Sequence, residues 1–158
     1  MALDIGDTLP HFSLSTDGDG TLDASELLGQ KTVIYFYPKD NTSGCTKEAE
    51  AFRDSLNAFT EAGVRIIGVS PDKAASHDKF KAKYDLNFTL LSDPDTTLAQ
   101  AFGVWVEKSM YGRKYMGIER STFLIDASGV IRQAWRKVKV AGHVAKVLDA
   151  TRDLHNAS

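Results

Sequence analysis

The sequence predicts an α/β fold: a central mixed β-sheet flanked by helices, with a β-hairpin at the N-terminus. Three observations carry this. Hydrophobic periodicity switches repeatedly between strand-like and helix-like along the 158 residues. The run Val33-Ile34-Tyr35-Phe36-Tyr37 is apolar without alternation, as expected of a central strand covered on both faces. The segment Thr16-Asp17-Gly18-Asp19-Gly20 is turn chemistry between two short strand-like stretches, residues 11–14 and 21–23. No repeat, low-complexity tract or linker interrupts the chain, so residues 1–158 are expected to form one domain with its own core.

After the central strand, Pro38 ends the run and residues 39–44 form a loop. A helix is expected over residues 45–62, because Ala49, Phe52, Leu56 and Phe59 recur at three- and four-residue steps and Gly63 stops it. Residues 64–69 read as a buried strand, and Ser70-Pro71-Asp72 opens a helix through residue 84. A short strand follows at 88–91 and a short helix at 95–102, while 105–117, rich in Gly and Lys, reads as a less regular connection. Residues 121–125 and 130–136 are strands about the turn Asp126-Ala127-Ser128-Gly129, and Val144, Val147 and Leu148 mark a closing amphipathic helix at 142–154. Central strands between helices, with hairpin pairs at the ends, suggest a thioredoxin-like layout.

Composition narrows the function. Nineteen basic and 21 acidic residues give a formal charge of -2, which makes no electrostatic case for nucleic acid or an anionic membrane. No apolar run approaches the roughly 20 residues of a membrane span. The start, Met1-Ala2-Leu3-Asp4, lacks the basic and apolar regions of a signal peptide. One cysteine excludes an internal disulfide framework, so a cytoplasmic location is expected.

That cysteine, Cys45, stands where a loop gives way to a helix. First-turn N–H groups there lack intrahelical partners and carry partial positive charge, which favours an anion. On position alone it is either a reactive thiol or a small buried hydrophobe. Lowering a thiol's pKa from about 8.5 to about 6 takes roughly 3.4 kcal/mol, whereas a helix terminus supplies about 0.3–1 kcal/mol, and about 2 at best. A cation from elsewhere is required. Ionisation alone gains only about tenfold, so larger rates need donors aimed at the breaking bond. Candidates are Thr42, the N–H groups around Gly44 and Cys45, and a distant arginine.

The segment Phe36-Tyr37-Pro38-Lys39-Asp40-Asn41-Thr42-Ser43-Gly44-Cys45-Thr46-Lys47-Glu48-Ala49 resembles the active-site loop of peroxiredoxins, closest to the bacterioferritin comigratory protein or PrxQ subfamily, with Pro38, Thr42 and Cys45 at the family's spacing. Phe52-Arg53-Asp54, Ile67-Gly68-Val69-Ser70, Asn87-Phe88-Thr89-Leu90-Leu91-Ser92-Asp93, Gly117-Ile118-Glu119-Arg120-Ser121-Thr122-Phe123-Leu124-Ile125-Asp126 and Val138-Lys139-Val140-Ala141-Gly142-His143 match later blocks, so the resemblance covers nearly the whole chain. It implies a thioredoxin-like fold without cofactor or metal, and a thiol-dependent peroxidase that reduces hydrogen peroxide and organic hydroperoxides through a Cys45 sulfenic acid. It also implies that Arg120 reaches the sulfur as the missing cation, brought over from the far side of the sheet. A guanidinium suits that role because it stays charged and offers several donors in one plane. Thr42 would hold the peroxide and can also cap the helix. Pro38 would shape the loop and shield the sulfur. Glu48, one turn from Cys45, either orients the arginine or complements the helix dipole. Arg53 reads as a solvated helix residue.

Relatives that resolve the sulfenic acid internally carry a second cysteine five residues after the first, or in the following helix. Here those places hold Glu50 and, approximately, Lys81. A one-cysteine cycle is therefore expected, closed by an external thiol such as glutathione with glutaredoxin, or a thioredoxin-like donor. Monomer is expected ahead of homodimer. The alternative from another class is a redox-sensing or interaction protein whose cysteine oxidises with little turnover; a third is a thioredoxin-like module with an inert thiol.

Other signals are declined. Asp17, Asp19, Gly20, Leu22 and Glu26 imitate a calcium loop, but Ser15 holds the first ligand place and a strand precedes it. His11, His77, His143 and His155 form no ligand pair at helical spacing and read as surface or core residues. Trp105, Tyr111 and Tyr115 either line the approach to the site or pack in the core.

Overall fold

The computed structural model describes residues 2–157, with side chains to Leu154. The chain opens with β1 (Ser13–Ser15) and β2 (Thr21–Asp23), an antiparallel pair with Leu14 opposite Leu22. Asp17 in the connecting turn takes the Lys81 ammonium at 2.8 Å and the Leu90 N–H at 2.9 Å. Asp23 and Glu26 form a reciprocal cap on the short 3-10 turn that follows. The calcium-like spacing therefore belongs to a hairpin turn and a cap.

The central sheet is built from β3 (Lys31–Phe36), β4 (Val64–Ser70), β5 (Thr89–Ser92), β8 (Ser121–Ile125) and β9 (Ile131–Trp135). Its order is β5-β4-β3-β8-β9, with β3, β4 and β5 parallel and β8 and β9 antiparallel additions. Parallel neighbours need crossovers. Two helices, α1 (Ser43–Asp54) and α2 (Leu56–Glu61), link β3 to β4, and α3 (Ala74–Tyr84) links β4 to β5. Next come α4 (Thr97–Ala101), the strands β6 (Trp105–Met110) and β7 (Arg113–Ile118), and finally α5 (His143–Ala157).

β3 is covered on both faces. Val33 and Tyr35 pack with Phe52, Phe59 and Val147 beneath the helices, while Ile34 and Phe36 pack with Phe102 and Phe123 on the other side. None of these four β3 side chains has any exposed surface, which is why the run shows no alternation. No helix among the described residues is long and apolar enough to cross a membrane.

Three expectations need correction. The helix predicted over 45–62 is two helices: Ser55 (φ -99°, ψ 3°) leaves helical geometry between them. Leu56 and Phe59 keep the apolar period beyond the break because α2 rests on the same core. The irregular connection at 105–117 is a regular antiparallel hairpin, closed by Tyr111 and Gly112 at φ 54° and 78° between Met110 and Arg113. Two successive left-handed residues are the mark of a type I′ hairpin turn. Finally, Arg120 does not come from the far side of the sheet. It immediately precedes β8, which pairs with β3, and Ser121 lies opposite Phe36.

Candidate active site

β3 delivers the chain to the site. Beyond Phe36 the Tyr37 N–H still reaches the Val69 carbonyl at 3.0 Å, and half-buried Pro38, which has no N–H, ends the ladder. The loop then turns at Asn41, held at φ 61°, a left-handed conformation that asparagine tolerates. Thr42 occupies the N-cap of α1 in extended conformation, and its carbonyl accepts the Thr46 N–H at 2.8 Å. Its side chain does not cap. The exposed Thr42 hydroxyl instead donates to the Lys39 carbonyl at 2.9 Å.

Because α1 begins at Ser43, Cys45 is its third residue, with its N–H among the orphan donors of the first turn. Cys45 is only 2% exposed. Arg120 approaches over Gly44: Nη2 donates to Cys45 Sγ at 3.2 Å and Nη1 to Glu48 Oε1 at 2.7 Å. A β-carbon at Gly44 would lie 3.2 Å from Nη2, so the guanidinium occupies the space a side chain would take.

Electrostatically, one cation faces two acidic groups, the Glu48 carboxyl and the Cys45 sulfur. Burial pushes the Glu48 carboxyl up to about 7, against the pull of Arg120. Burial also works against the Arg120 charge, but Glu48 and Cys45 outweigh it and hold the guanidinium above its ordinary value. Glu48 Oε2 and the Tyr35 hydroxyl are buried without hydrogen-bond partners. Burial first, then the charges of Glu48 and Cys45, push the Tyr35 phenol well up, so it stays neutral. Of the two roles open to Glu48, the direct bond to Arg120 makes it the anchor of the arginine.

Sequence reasoning missed Lys108. Its stem crosses Gly117, where a β-carbon would meet Cδ at 3.3 Å, and it stands opposite Tyr115 in the hairpin. Burial and the Arg120 charge hold its ammonium below the usual lysine range, while Cys45 and Glu119 oppose them. It is a second cation in the field of the sulfur, and only the β6–β7 pairing reveals it.

The remaining candidates disperse. Trp105 packs against the second core cluster, Tyr115 is partly exposed, and Tyr111 sits fully exposed at the hairpin tip. His11 is exposed, whereas His77 and His143 are buried and hydrogen-bonded. The His155 side chain lies outside the described residues. Arg53 is not simply solvated: it donates to the Tyr84 carbonyl at 2.7 Å and pairs with Asp54 and Glu50. Glu50 and Lys81, the places where relatives carry a second cysteine, are thus engaged in ion pairs to Arg53 and Asp17.

The site is thus a cysteine in the first turn of a helix, contacted by an arginine at the head of the neighbouring strand. Residues 5–134 match the AhpC/TSA family. The chain belongs to this peroxiredoxin family. The peroxiredoxin is 51% identical over 148 residues to the putative peroxiredoxin Bcp of Coxiella burnetii, covering 94% of this chain and 98% of the relative. It is 50% identical over 154 residues to peroxiredoxin Bcp of Bacillus subtilis, covering 98% of each. Among solved structures it is similar to a cysteine-to-serine variant of PrxQ from Xylella fastidiosa, with TM-score 0.92, 43% identity and coverage of 97% and 98% of the two chains. Xanthomonas campestris peroxiredoxin Q gives 0.88, with 49% identity and 91% of each chain covered. This peroxiredoxin is of the Bcp, or PrxQ, type, with Cys45 as its one cysteine.

Proposed function

We propose that this peroxiredoxin reduces hydrogen peroxide and organic hydroperoxides by a one-cysteine cycle. The carrying observation is the Arg120 Nη2 contact to Cys45 Sγ at 3.2 Å in a chain with no other cysteine. The Cys45 thiolate attacks the terminal peroxide oxygen in line with the O–O bond. The S–O bond forms as the O–O bond breaks, and the sulfur gives up two electrons. The leaving oxygen takes a proton and departs as water or an alcohol. Arg120 and the first-turn N–H groups of α1 stabilise the charge developing on that oxygen. Thr42, whose own hydrogen is committed to the Lys39 carbonyl, accepts a hydrogen bond from the peroxide O–H.

Cys45 is left as a sulfenic acid. An external thiol attacks its sulfur, releasing water and forming a mixed disulfide, and a second thiol frees Cys45 by exchange. The alkyl peroxide reduction ascribed to the Xanthomonas campestris bacterioferritin comigratory protein supports the substrate class.

The test is peroxide consumption with glutathione and glutaredoxin, or with thioredoxin, as the sole electron source. Many equivalents should be consumed per protein with at least one of them, and none by Cys45→Ser. Oxidation that stops at one equivalent with every reductant would overturn the cycle in favour of a redox sensor.

A further inference from the structure

A second charged cluster lies beneath the loop that precedes Cys45. Asp40 is buried, and its carboxylate accepts from the Tyr37 hydroxyl at 2.6 Å, the Ser76 hydroxyl at 2.9 Å and His77 Nδ1 at 2.7 Å. His77, with no exposed surface, places its other ring nitrogen 3.0 Å from the Leu91 carbonyl. The Leu91 carbonyl can only accept, so the ring nitrogen facing it carries hydrogen; with Asp40 as a carboxylate the other nitrogen does too, and the ring is then an imidazolium. Burial opposes that charge, but the bond to Asp40 and its negative charge outweigh burial and raise the His77 pKa above its ordinary value.

The cluster controls one peptide unit. The Asp40 N–H donates to Asp72 Oδ2 at 2.7 Å, and the carbonyl of the same peptide, that of Lys39, accepts the Thr42 hydroxyl at 2.9 Å. Rotating this peptide would re-aim the Thr42 hydroxyl. Its neighbour Asn41 is held from the same helix, by the Tyr84 hydroxyl at 2.8 Å and Lys83 Nζ at 3.3 Å. Helix α3 therefore fastens the loop at Ser76, His77, Lys83 and Tyr84.

We propose that His77 is a positioning residue for peroxide reduction: as an imidazolium it locks Asp40, and so the Lys39–Asp40 peptide, and thereby fixes the direction of the Thr42 hydroxyl in the loop that leads into Cys45. This rests on the peroxidase reading above. Four groups act on His77 from the elements packed around it. Asp40 comes from the loop after β3, Asp72 from the segment after β4, and the Leu91 carbonyl from β5; Tyr37 at the end of β3 acts through Asp40. Losing the proton removes one of the two N–H groups and leaves the Asp40 carboxylate without its countercharge. Peroxide reduction then falls as pH rises through the His77 pKa.

Single-turnover oxidation of Cys45 by hydrogen peroxide, followed by stopped flow between pH 5.5 and 9.5, tests this. The parent should lose rate in a one-proton step above pH 6.5. His77→Gln, which cannot be charged, should be about tenfold slower at neutral pH and lack that step. Nitrogen-15 spectra of the parent imidazole provide the second measurement, which needs no variant: the His77 titration and the alkaline rate step must share one midpoint. Superimposable profiles for parent and variant, or a His77 ring that is neutral across the active range, would overturn the positioning role alone. A parent unreactive toward peroxide would overturn the peroxidase reading as well.

Discussion

Arg120 and Cys45, 75 residues apart in the chain, meet at 3.2 Å through Nη2 and Sγ. The same guanidinium holds Glu48 at 2.7 Å, so its orientation is fixed by two contacts in one plane. A lysine offers a point charge and no fork. Arg120→Lys should therefore keep a cation near the sulfur yet lose roughly 100-fold in the rate constant for Cys45 oxidation. Stopped-flow oxidation by hydrogen peroxide measures it, and a loss of less than about threefold would show that charge alone suffices.

Gly44 separates activity from stability. An alanine β-carbon at this position would stand 3.2 Å from Arg120 Nη2, tight enough to displace the guanidinium by a few tenths of an ångström. Alanine is also the better helix former, by up to about 1 kcal/mol. Gly44→Ala should slow peroxide reduction about tenfold while leaving the urea midpoint unchanged or higher. Equal losses in both would mean that the residue matters only for folding.

Glu48 makes the pH dependence of stability readable. Burial raises its carboxyl to about 7 in the folded protein, above the ordinary carboxylate range. Between the unfolded and folded pKa values the native state retains a proton that the unfolded state has lost, so Glu48 lowers stability as pH rises from about 4.5 toward 7. Glu48→Gln should gain on the parent over that interval, by on the order of 3 kcal/mol. Urea unfolding of both proteins at pH 5 and pH 8 reads the difference directly; a constant gap would refute the shift.

His143 acts in the opposite direction. Burial, with Lys146 and Arg120 adding their charges, pushes its imidazole down to about 4, and Nε2 lies 2.8 Å from the Thr122 hydroxyl. Below about pH 6.5 the unfolded chain takes up a proton that the native ring refuses, so stability falls on acidification by at most about 1.4 kcal/mol per pH unit. His143→Gln should flatten that fall between pH 6.5 and 4, as followed by thermal denaturation.

A methyl at Gly68 would press on the site from below. Its β-carbon would lie 2.9 Å from the Tyr35 ring and hydroxyl and 3.0 Å from Leu90, contacts that a close-packed core cannot relieve cheaply. Gly68→Ala should cost about 1–3 kcal/mol in unfolding free energy. A null effect in calorimetry would indicate that Tyr35 moves freely.

The legible parts were those written in local pattern. Cys45, Thr42 and Arg120 stood out because motif and helix position are properties of short segments, and the unbroken apolar run of β3 exposed the centre of the sheet. The break at Ser55 escaped because Leu56 and Phe59 continue the helical period across it. The β6–β7 hairpin escaped because polar residues such as Glu107, Lys108 and Ser109 project from both faces, leaving no apolar alternation to detect. Lys108 and the Asp40–His77 pair escaped for a different reason. Each acts on residues distant in sequence, and only the assembled sheet brings them together. Glu48 was ambiguous between dipole and arginine until the 2.7 Å bond chose.

The pairing of β3 with β8, in which Phe36 lies opposite Ser121, has a practical corollary. Arg120 stands one residue before β8, whereas Cys45 follows β3 through a short loop into α1, so strand register places the cation's backbone and the loop with α1 places the sulfur. Register in a sheet buried on both faces cannot drift by small amounts. Heat that separates β3 from β8 should therefore end Cys45 oxidation, so the inactivation curve should lie at or below the temperature at which β-structure is lost.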